Sequence, residues 1–536
     1  MSDALIQTRK VIAGLFFFIV TLLIWKKTYD YTLLKFFFTQ IFILFLLLSF
    51  LFEKKKLSFN LLLLSPLFIY FFFFLLSLSF SSSPLVCFRQ LNIFLSYLIL
   101  FLVGFNLREV LKGKWVFFIW IIAGIVASVW VMYDYFKGGI IVASFGNKNF
   151  FSGYVILLLP LVISFLLQKK WIFALPFFFL FFALYLSNSQ ASFLGFFSSV
   201  LFFLFYFLRD RKKLQGRAIF FIFACIFLLS VFSLPYFITT IQENIRYPFY
   251  VGTARMIKEK PLLGFGPGKF EASFQEFRPR EYFIRQEATP IDDHAHCEYL
   301  EIAAETGIPS LFFFLVFIIV FFSLFKERLK RDEDWFILSS LGAGILAVLV
   351  DNMFSTNLRT YSVSPLFWFS MGLVSSSFPE RKISTKASSL IFIILSLIII
   401  IFIPFNLREI NGQIYYKQGL IHRNRGEYRK AIYFFNRSLE SSPFNLDAFY
   451  KLGYLYVMTN QPRKALLIYD ELLRLSPHFA RSHYNIATVL ASLGEKEEAI
   501  HHLKVALDHN PYDEESFSFL KYLISSQRLK KEEQIE

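Results

Sequence analysis

Cysteine is nearly absent. Cys87, Cys225 and Cys297 are scattered through 536 residues, which excludes a disulfide framework and says little about compartment. Acid is scarce too: 39 Asp and Glu stand against 55 Lys and Arg, a net charge of +16. Charge of either sign is thin, 18% of residues, against 56% hydrophobic and 20% aromatic. The first apolar run, Lys10 to Trp25, leads into further apolar spans with no small-residue cleavage site, so no removable signal peptide is expected. What is present in excess is apolar surface, with a mean hydropathy of +0.54 and 75 Phe. No soluble domain needs that much. In lipid every backbone polar group must be satisfied internally, which helices do. The fold class is therefore all-α: a polytopic membrane protein in contact with lipid. The basic excess reads as loop Lys and Arg at a membrane surface, and no nucleic acid partner is expected.

A span needs about 20 mostly apolar residues. Thirteen such stretches are present: 10–25, 32–52, 57–80, 85–105, 115–134, 150–168, 171–187, 190–208, 218–240, 307–325, 335–352, 361–378 and 388–405. Alternate loops differ in charge. One set carries 22 Lys and Arg, among them Arg9, Lys54, Lys55, Lys56, Arg108, Arg209, Arg381 and Lys382; the other carries five, Lys26, Lys27, Lys137, Lys148 and Arg359. The basic set belongs in the cytoplasm. This predicts a cytoplasmic N-terminus, with residues 241–306 and everything after the thirteenth span on the far side. The expected divisions are spans one to nine (1–240), a large polar loop (241–306), spans ten to thirteen (307–405) and a soluble region (406–536).

The soluble region has an internal period of 34. Pro443, Pro477 and Pro511 share it, as do Ala431, Ala465 and Ala499, and Tyr416, Tyr450 and Tyr484. Gly419, Gly453 and Ala487 keep a small residue in register. Small residues let paired helices approach, and Pro ends the second helix of each pair. The pattern resembles the tetratricopeptide repeat, with units near 410–443, 444–477 and 478–511 and a capping helix at 514–526. Such arrays bind protein partners rather than catalyse.

The polar loop holds the plausible chemistry. Asp292 and Asp293 read as helix N-caps, which puts His294 and His296 in a first turn. There the helix dipole lowers an imidazole's pKa, and a neutral His can take a proton from an acceptor hydroxyl. His294, Glu298, Glu301 and Glu305 fall on one helical face, while His296 points about 200° away. The run PLLGFGPGKF (Pro261 to Phe270) reads as a tight turn or, more weakly, a phosphate cradle. Arg246 stands at the loop's start, where a headgroup anchor is the plain alternative. His294, His296 and Cys297 lack a fourth ligand at metal-binding spacing, so no metal is expected, nor any other cofactor.

Arg246, Tyr250 and MIKEKPLLGFGPG, followed by HAHCEYLEIAAETGIP, lie in one external loop before the last spans. This order resembles the O-antigen ligase and polymerase superfamily of lipid-linked glycan transferases, of glycosyltransferase C type. FGNKNFFSGY (Phe145 to Tyr154) is similar to that family's G-N-x-N signature, which carries Asn147 and Asn149. SNSQASFLG (Ser187 to Gly195) sits where the family has an arginine, here Gln190. The resemblance covers about 140–375.

It implies transfer of a glycan from a polyprenyl (undecaprenyl) diphosphate to an acceptor hydroxyl on the periplasmic face of a bacterial inner membrane. His296 is then the base and Arg246 a diphosphate contact. Arg89 or Arg255 would supply the cation missing at Gln190, and His294, Asn147 and Asn149 would complete the binding set. The acceptor is a glycan, lipid or protein. Rival readings are a repeat-unit polysaccharide polymerase, as in lipopolysaccharide biosynthesis, a protein O-oligosaccharyltransferase, and a non-enzymatic scaffold or transporter. Against a transporter, the spans show no obvious inverted repeat and few intramembrane charges, while the polar loop is large.

Overall fold

The computed structural model describes residues 2–81, 84–139, 142–168, 170–210, 246–285, 294–329 and 334–533. The expected ninth span (218–240), Cys225, the basic run from Arg211 to Arg217, and the expected caps Asp292 and Asp293 lie outside the described residues.

Helices dominate. Among the described residues, eight helices are long and apolar enough to cross a membrane. Six come first: α1 (Ser2–Leu22), α2 (Leu33–Glu53), α3 (Leu61–Ser79), α4 (Pro84–Phe105), α5 (Lys114–Phe136) and α6 (Lys148–Leu167). Shorter apolar helices follow as α7 (Ala174–Ser187) and α8 (Gln190–Asp210). Four small helices build the polar loop: α9 (Tyr247–Glu259), α10 (Phe270–Phe274), α11 (Arg280–Arg285) and α12 (Glu298–Thr306). Then come α13 (Ile308–Arg328), α14 (Trp335–Asp351), α15 (Ser364–Ser375) and α16 (Thr385–Asn424). Each expected span within the described residues coincides with a helix. The 12-residue α15 rises about 18 Å, short of the roughly 30 Å hydrocarbon layer. Its residues are almost all buried, so it is packed as an interior helix.

Small residues set the closest crossings, as expected where backbones must approach in lipid. A Cβ on Gly372 of α15 would lie 2.2 Å from Phe101 O of α4, and one on Gly104 2.6 Å from Phe369 O. Helix α14 is sandwiched likewise, Gly344 against Leu157 of α6 and Ala347 against Gly195 of α8.

The two ends of the bundle differ as the loop charges require. At one end Arg9 pairs with Glu53 (2.6 Å) and Glu109 (3.1 Å), and Lys55 with Glu109 (3.2 Å). There β1 (Ser58–Phe59) also pairs antiparallel with β2 (Arg381–Lys382). Four of the basic loops thus meet. The other end carries α9 to α12 and the turn 352–363.

Polar side chains also tie the spans internally. Gln40 Nε2 donates to Asn92 Oδ1 (2.7 Å), Asn92 Nδ2 to Asn406 Oδ1 (2.7 Å), and Asn406 back to Gln40. One ring of amides therefore joins α2, α4 and α16. Lys35 of α2, fully buried, donates to Thr21 O and Ser144 Oγ (3.2 and 3.3 Å).

Composition turns soluble at Phe405, but the helix does not stop there. Helix α16 runs 40 residues through Pro404, about 60 Å, so its second half is the first helix of the repeat region. It packs on α17 (Tyr428–Ser441). Two further pairs follow, α18 (Leu446–Met458) with α19 (Pro462–Leu475) and α20 (Ser482–Leu493) with α21 (Lys496–His509). The closing helix α22 (Glu514–Glu533) reaches beyond the expected cap. The 34-residue period is the packing rule: a Cβ on Gly419 or Gly453 would strike the ring of Phe435 (2.8 Å) or Tyr469 (2.7 Å).

Candidate functional site

Pro248 stands in the first turn of α9, where its fixed φ suits a helix start. Arg246, just before it, turns its side chain to the 352–359 turn, and Nη1 donates to Phe354 O at 2.8 Å. The same turn holds the head of α12: Glu298 N donates to Asn352 O (3.0 Å) and lies 3.1 Å from Ser355 O. Both ends of the polar loop are thereby docked on one turn.

The expected N-terminus of the last loop helix needs correction. Helix α12 starts at Glu298, with Cys297 as an N-cap that makes no side-chain bond. His294 and His296 precede it. His296 has φ +54, a left-handed conformation that ends helical winding and is uncommon outside glycine. It turns the imidazole onto the Phe249 ring of α9, with centroids 5.1 Å apart. The His296 pKa is lowered to about 4, first by burial and then by Arg246 and His294. The direction matches the sequence expectation; the cause is burial and a neighbouring guanidinium, not a helix dipole. His294 Nδ1 lies 2.8 Å from Glu301 Oε1.

The carboxylate face read from spacing is real, and it has a partner that the sequence reading used only as a loop charge. Arg359 reaches Glu298 (3.0 Å), Glu301 (3.1 Å) and Glu305 (2.7 Å) at once. Its guanidinium is almost buried. Three carboxylates around one guanidinium cannot all ionise cheaply. Burial is the largest influence on Glu301, but Arg359, His294 and the Ala295 N–H outweigh it and hold the acid at about 2. Burial raises Glu298 to about 7 and also raises Glu305. A narrow cavity of about 90 Å³ opens beside Glu298, Glu305 and Arg359, walled by Tyr70, Phe94 and Trp368.

The glycine turn is a clamp rather than a cradle. Phe265 N donates to Ala304 O (3.0 Å) and Gly266 N to Glu305 O (2.9 Å). Phe270 N donates to Glu305 Oε1 (3.2 Å). Gly264, Gly266 and Gly268 all have positive φ, which is why the run needs glycine. These N–H groups are spent on the end of α12, not held out for phosphate.

A second network joins the other sequence motifs. Asp351, at the end of α14, accepts from Ser192 Oγ (2.7 Å), Ser355 Oγ (2.5 Å) and Asn357 Nδ2 (2.5 Å). Ser192 Oγ also lies 2.8 Å from Ser152 Oγ, and Asn357 Nδ2 donates to Asn149 O (3.3 Å). Segments 145–154 and 187–195 therefore converge on the turn that holds Arg246, whose charge also bears on Asp351. Asn149 enters through its backbone. Asn147 is exposed and caps α6, accepting from Asn149 N (2.9 Å).

The remaining candidates are dispersed. Gln190 is exposed at the start of α8 and Arg255 is exposed on α9. Arg89 pairs with Glu409 of α16 (2.8 Å) and lies 5.9 Å over the Phe444 ring, which ties it to the repeat region. The structure brings together Arg246, His294 and His296. It adds Arg359 and Asp351, which the sequence reading missed. A signal existed: three glutamates spaced three and four apart on one short helix call for a cation.

Residues 175–315 match the family model described as O-antigen ligase. Residues 424–506 match the model described as anaphase-promoting complex, cyclosome, subunit 3, a match to tetratricopeptide-like repeats. No curated protein matches the chain. The first match contains Arg246, His294, His296 and all three glutamates, and stops before Asp351 and Arg359.

Proposed function

We propose that this chain, O-antigen ligase-like through its middle and repeat-bearing at its end, moves a glycan from a polyprenyl diphosphate to an acceptor hydroxyl. The coarser statement, a membrane protein of O-antigen ligase or polymerase type, follows from the family match. The finer reading rests on one arrangement: a half-buried His296, packed on Phe249 and with its pKa lowered by burial and by Arg246, lies with that arginine where the polar loop meets the apolar bundle.

The anomeric carbon of such a donor already carries a good leaving group. The protein has to position the acceptor, take its proton and stabilise the departing diphosphate. His296 takes the proton as the acceptor oxygen bonds to the anomeric carbon. The bond from that carbon to the phosphate oxygen breaks, and Arg246 stabilises the diphosphate, for which a planar guanidinium is suited. Displacement in one step inverts the anomeric configuration. The Glu298–Glu301–Glu305–Arg359 cluster fixes the frame that holds His296, because Glu301 receives both His294 and the Ala295 N–H.

The membrane is the bacterial cytoplasmic membrane in this reading. The N-terminus is cytoplasmic, and the polar loop and repeat region are periplasmic, as loop charge favours. The repeats recruit a protein partner. The test is glycan profiling of a deletion strain complemented with wild type, His296→Ala or Arg246→Ala. Lipid-linked glycan should accumulate with either variant and clear only with wild type. Clearance by both variants would sink the assignment in favour of a scaffold.

A further inference from the structure

The polar loop and the repeat region enclose a cavity of about 330 Å³, within the ~300–1,000 Å³ in which small molecules are held. It lies apart from His296. Tyr282 and Phe283 of α11, with Arg278 just before it, form one wall, and the third repeat with the start of α22 forms the rest. The two parts touch beside it. Ser476 Oγ donates to Ala272 O at 2.7 Å, and the Phe283 and His509 ring centroids are 5.4 Å apart.

Its chemistry narrows the occupant. Arg481 is clamped by Asp513 (2.9 Å) and Glu515 (2.7 Å), and its guanidinium lies 4.2 Å over the Tyr484 ring. With two carboxylates on it, this cation is a poor seat for a phosphate or other anion, and the other lining guanidinium, Arg278, lies over the Tyr282 ring at 4.6 Å. A lipid chain would waste the polar wall. Tyr512 presents a half-exposed ring at the rim. The His478 and His509 rings stack at 4.6 Å, and His478 Nδ1 and His509 Nε2 are buried with no hydrogen-bond partner among the described residues. Aromatic faces beside fixed carboxylates and unpaired ring nitrogens suit a ligand with C–H faces and many hydroxyls.

We propose that this cavity is a saccharide-binding site that holds the sugar chain of the glycan during transfer. The identity of the sugar rests on the function proposed above; the site itself does not depend on chemistry at His296. The experiment uses full-length protein in lipid nanodiscs. The probe is the oligosaccharide released by mild acid from the producing cell's polyprenyl-linked glycan, and binding is read by calorimetry. Tyr512→Ala should weaken binding about tenfold and Tyr512→Phe by less than about threefold, since the ring and not the hydroxyl makes the contact. Ala506→Phe, which fills the cavity, should abolish binding with the thermal midpoint unchanged. His296→Ala should bind as wild type does. In a transfer assay Tyr512→Ala should raise KM and leave kcat. No binding by wild type, wild-type affinity in both Tyr512→Ala and Ala506→Phe, or a photocrosslinker at position 512 that captures polypeptide instead of sugar would each overturn the proposal. Intact binding by a His296→Ala protein that still transfers glycan would reject the catalytic assignment alone.

Discussion

His296 and Arg359 are opposite solutions to burying a titratable side chain. His296 stays uncharged; Arg359 stays charged and collects counter-ions. A base with a pKa of about 4 is deprotonated above that value and is lost only as pH falls through it. The acid limb of kcat/KM attributable to His296 should therefore lie below pH 5 rather than near the usual imidazole value, as a pH–rate profile in nanodiscs will show. His296→Ala should lower transfer by at least about 10²-fold without moving the thermal midpoint. Arg359→Gln should behave differently. It leaves Glu298, Glu301 and Glu305 buried without their cation, and breaking such a pair from one side costs about 3–5 kcal/mol. Without Arg359 the carboxyl pKa values rise, and protonation removes the repulsion. The loss in thermal midpoint should then be large at pH 7.5 and smaller at pH 5.5. An equal loss at both would contradict the cluster's role.

At the scale of elements, the glycine turn and α12 act as one clasp. A Cβ on Gly307 (φ +90) would lie 2.0 Å from Leu262 O, while one on Gly426 (φ +76) meets nothing within 4 Å. Gly426→Ala should cost only the left-handed penalty, about 1–2 kcal/mol. Gly307→Ala should cost more and abolish transfer, because it opens the clasp behind the carboxylates. Thermal unfolding of the two proteins in the same detergent decides this. The spans were legible because about 20 apolar residues have few alternatives, and the repeats because a 34-residue period survives any single substitution. The start of α12 was not. Asp292 and Asp293 carry the usual cap chemistry, but His296 at positive φ interrupts the winding, and no local rule announces a left-handed histidine. Asp351 and Arg359 escaped for another reason. Their partners, Ser192 and Glu298 among them, are 159 and 61 residues away in sequence, so their role exists only after folding.

For the whole molecule, the two ends of the bundle make a directional statement. In intact cells, a membrane-impermeant thiol reagent should label an Asn460→Cys protein and fail to label a Lys54→Cys protein, both in a background without the native cysteines. Reversed labelling would overturn the proposed orientation. The continuity of α16 has a further consequence. A flexible linker would let whatever the repeats grip wander, with an effective concentration set by linker length. Here the last span and the first repeat helix are one rod, and the amide ring at Asn406 locks its rotation. The repeat region is thus a bracket and not a tether: cargo held on it has one standoff distance and one bearing toward His296. Four residues inserted after Phe405 would lengthen that rod by about 6 Å and turn it by about 40°. The bracket would still grip a protein partner held by the repeats alone, yet deliver it to the wrong place, a loss of turnover without a loss of that partner's binding.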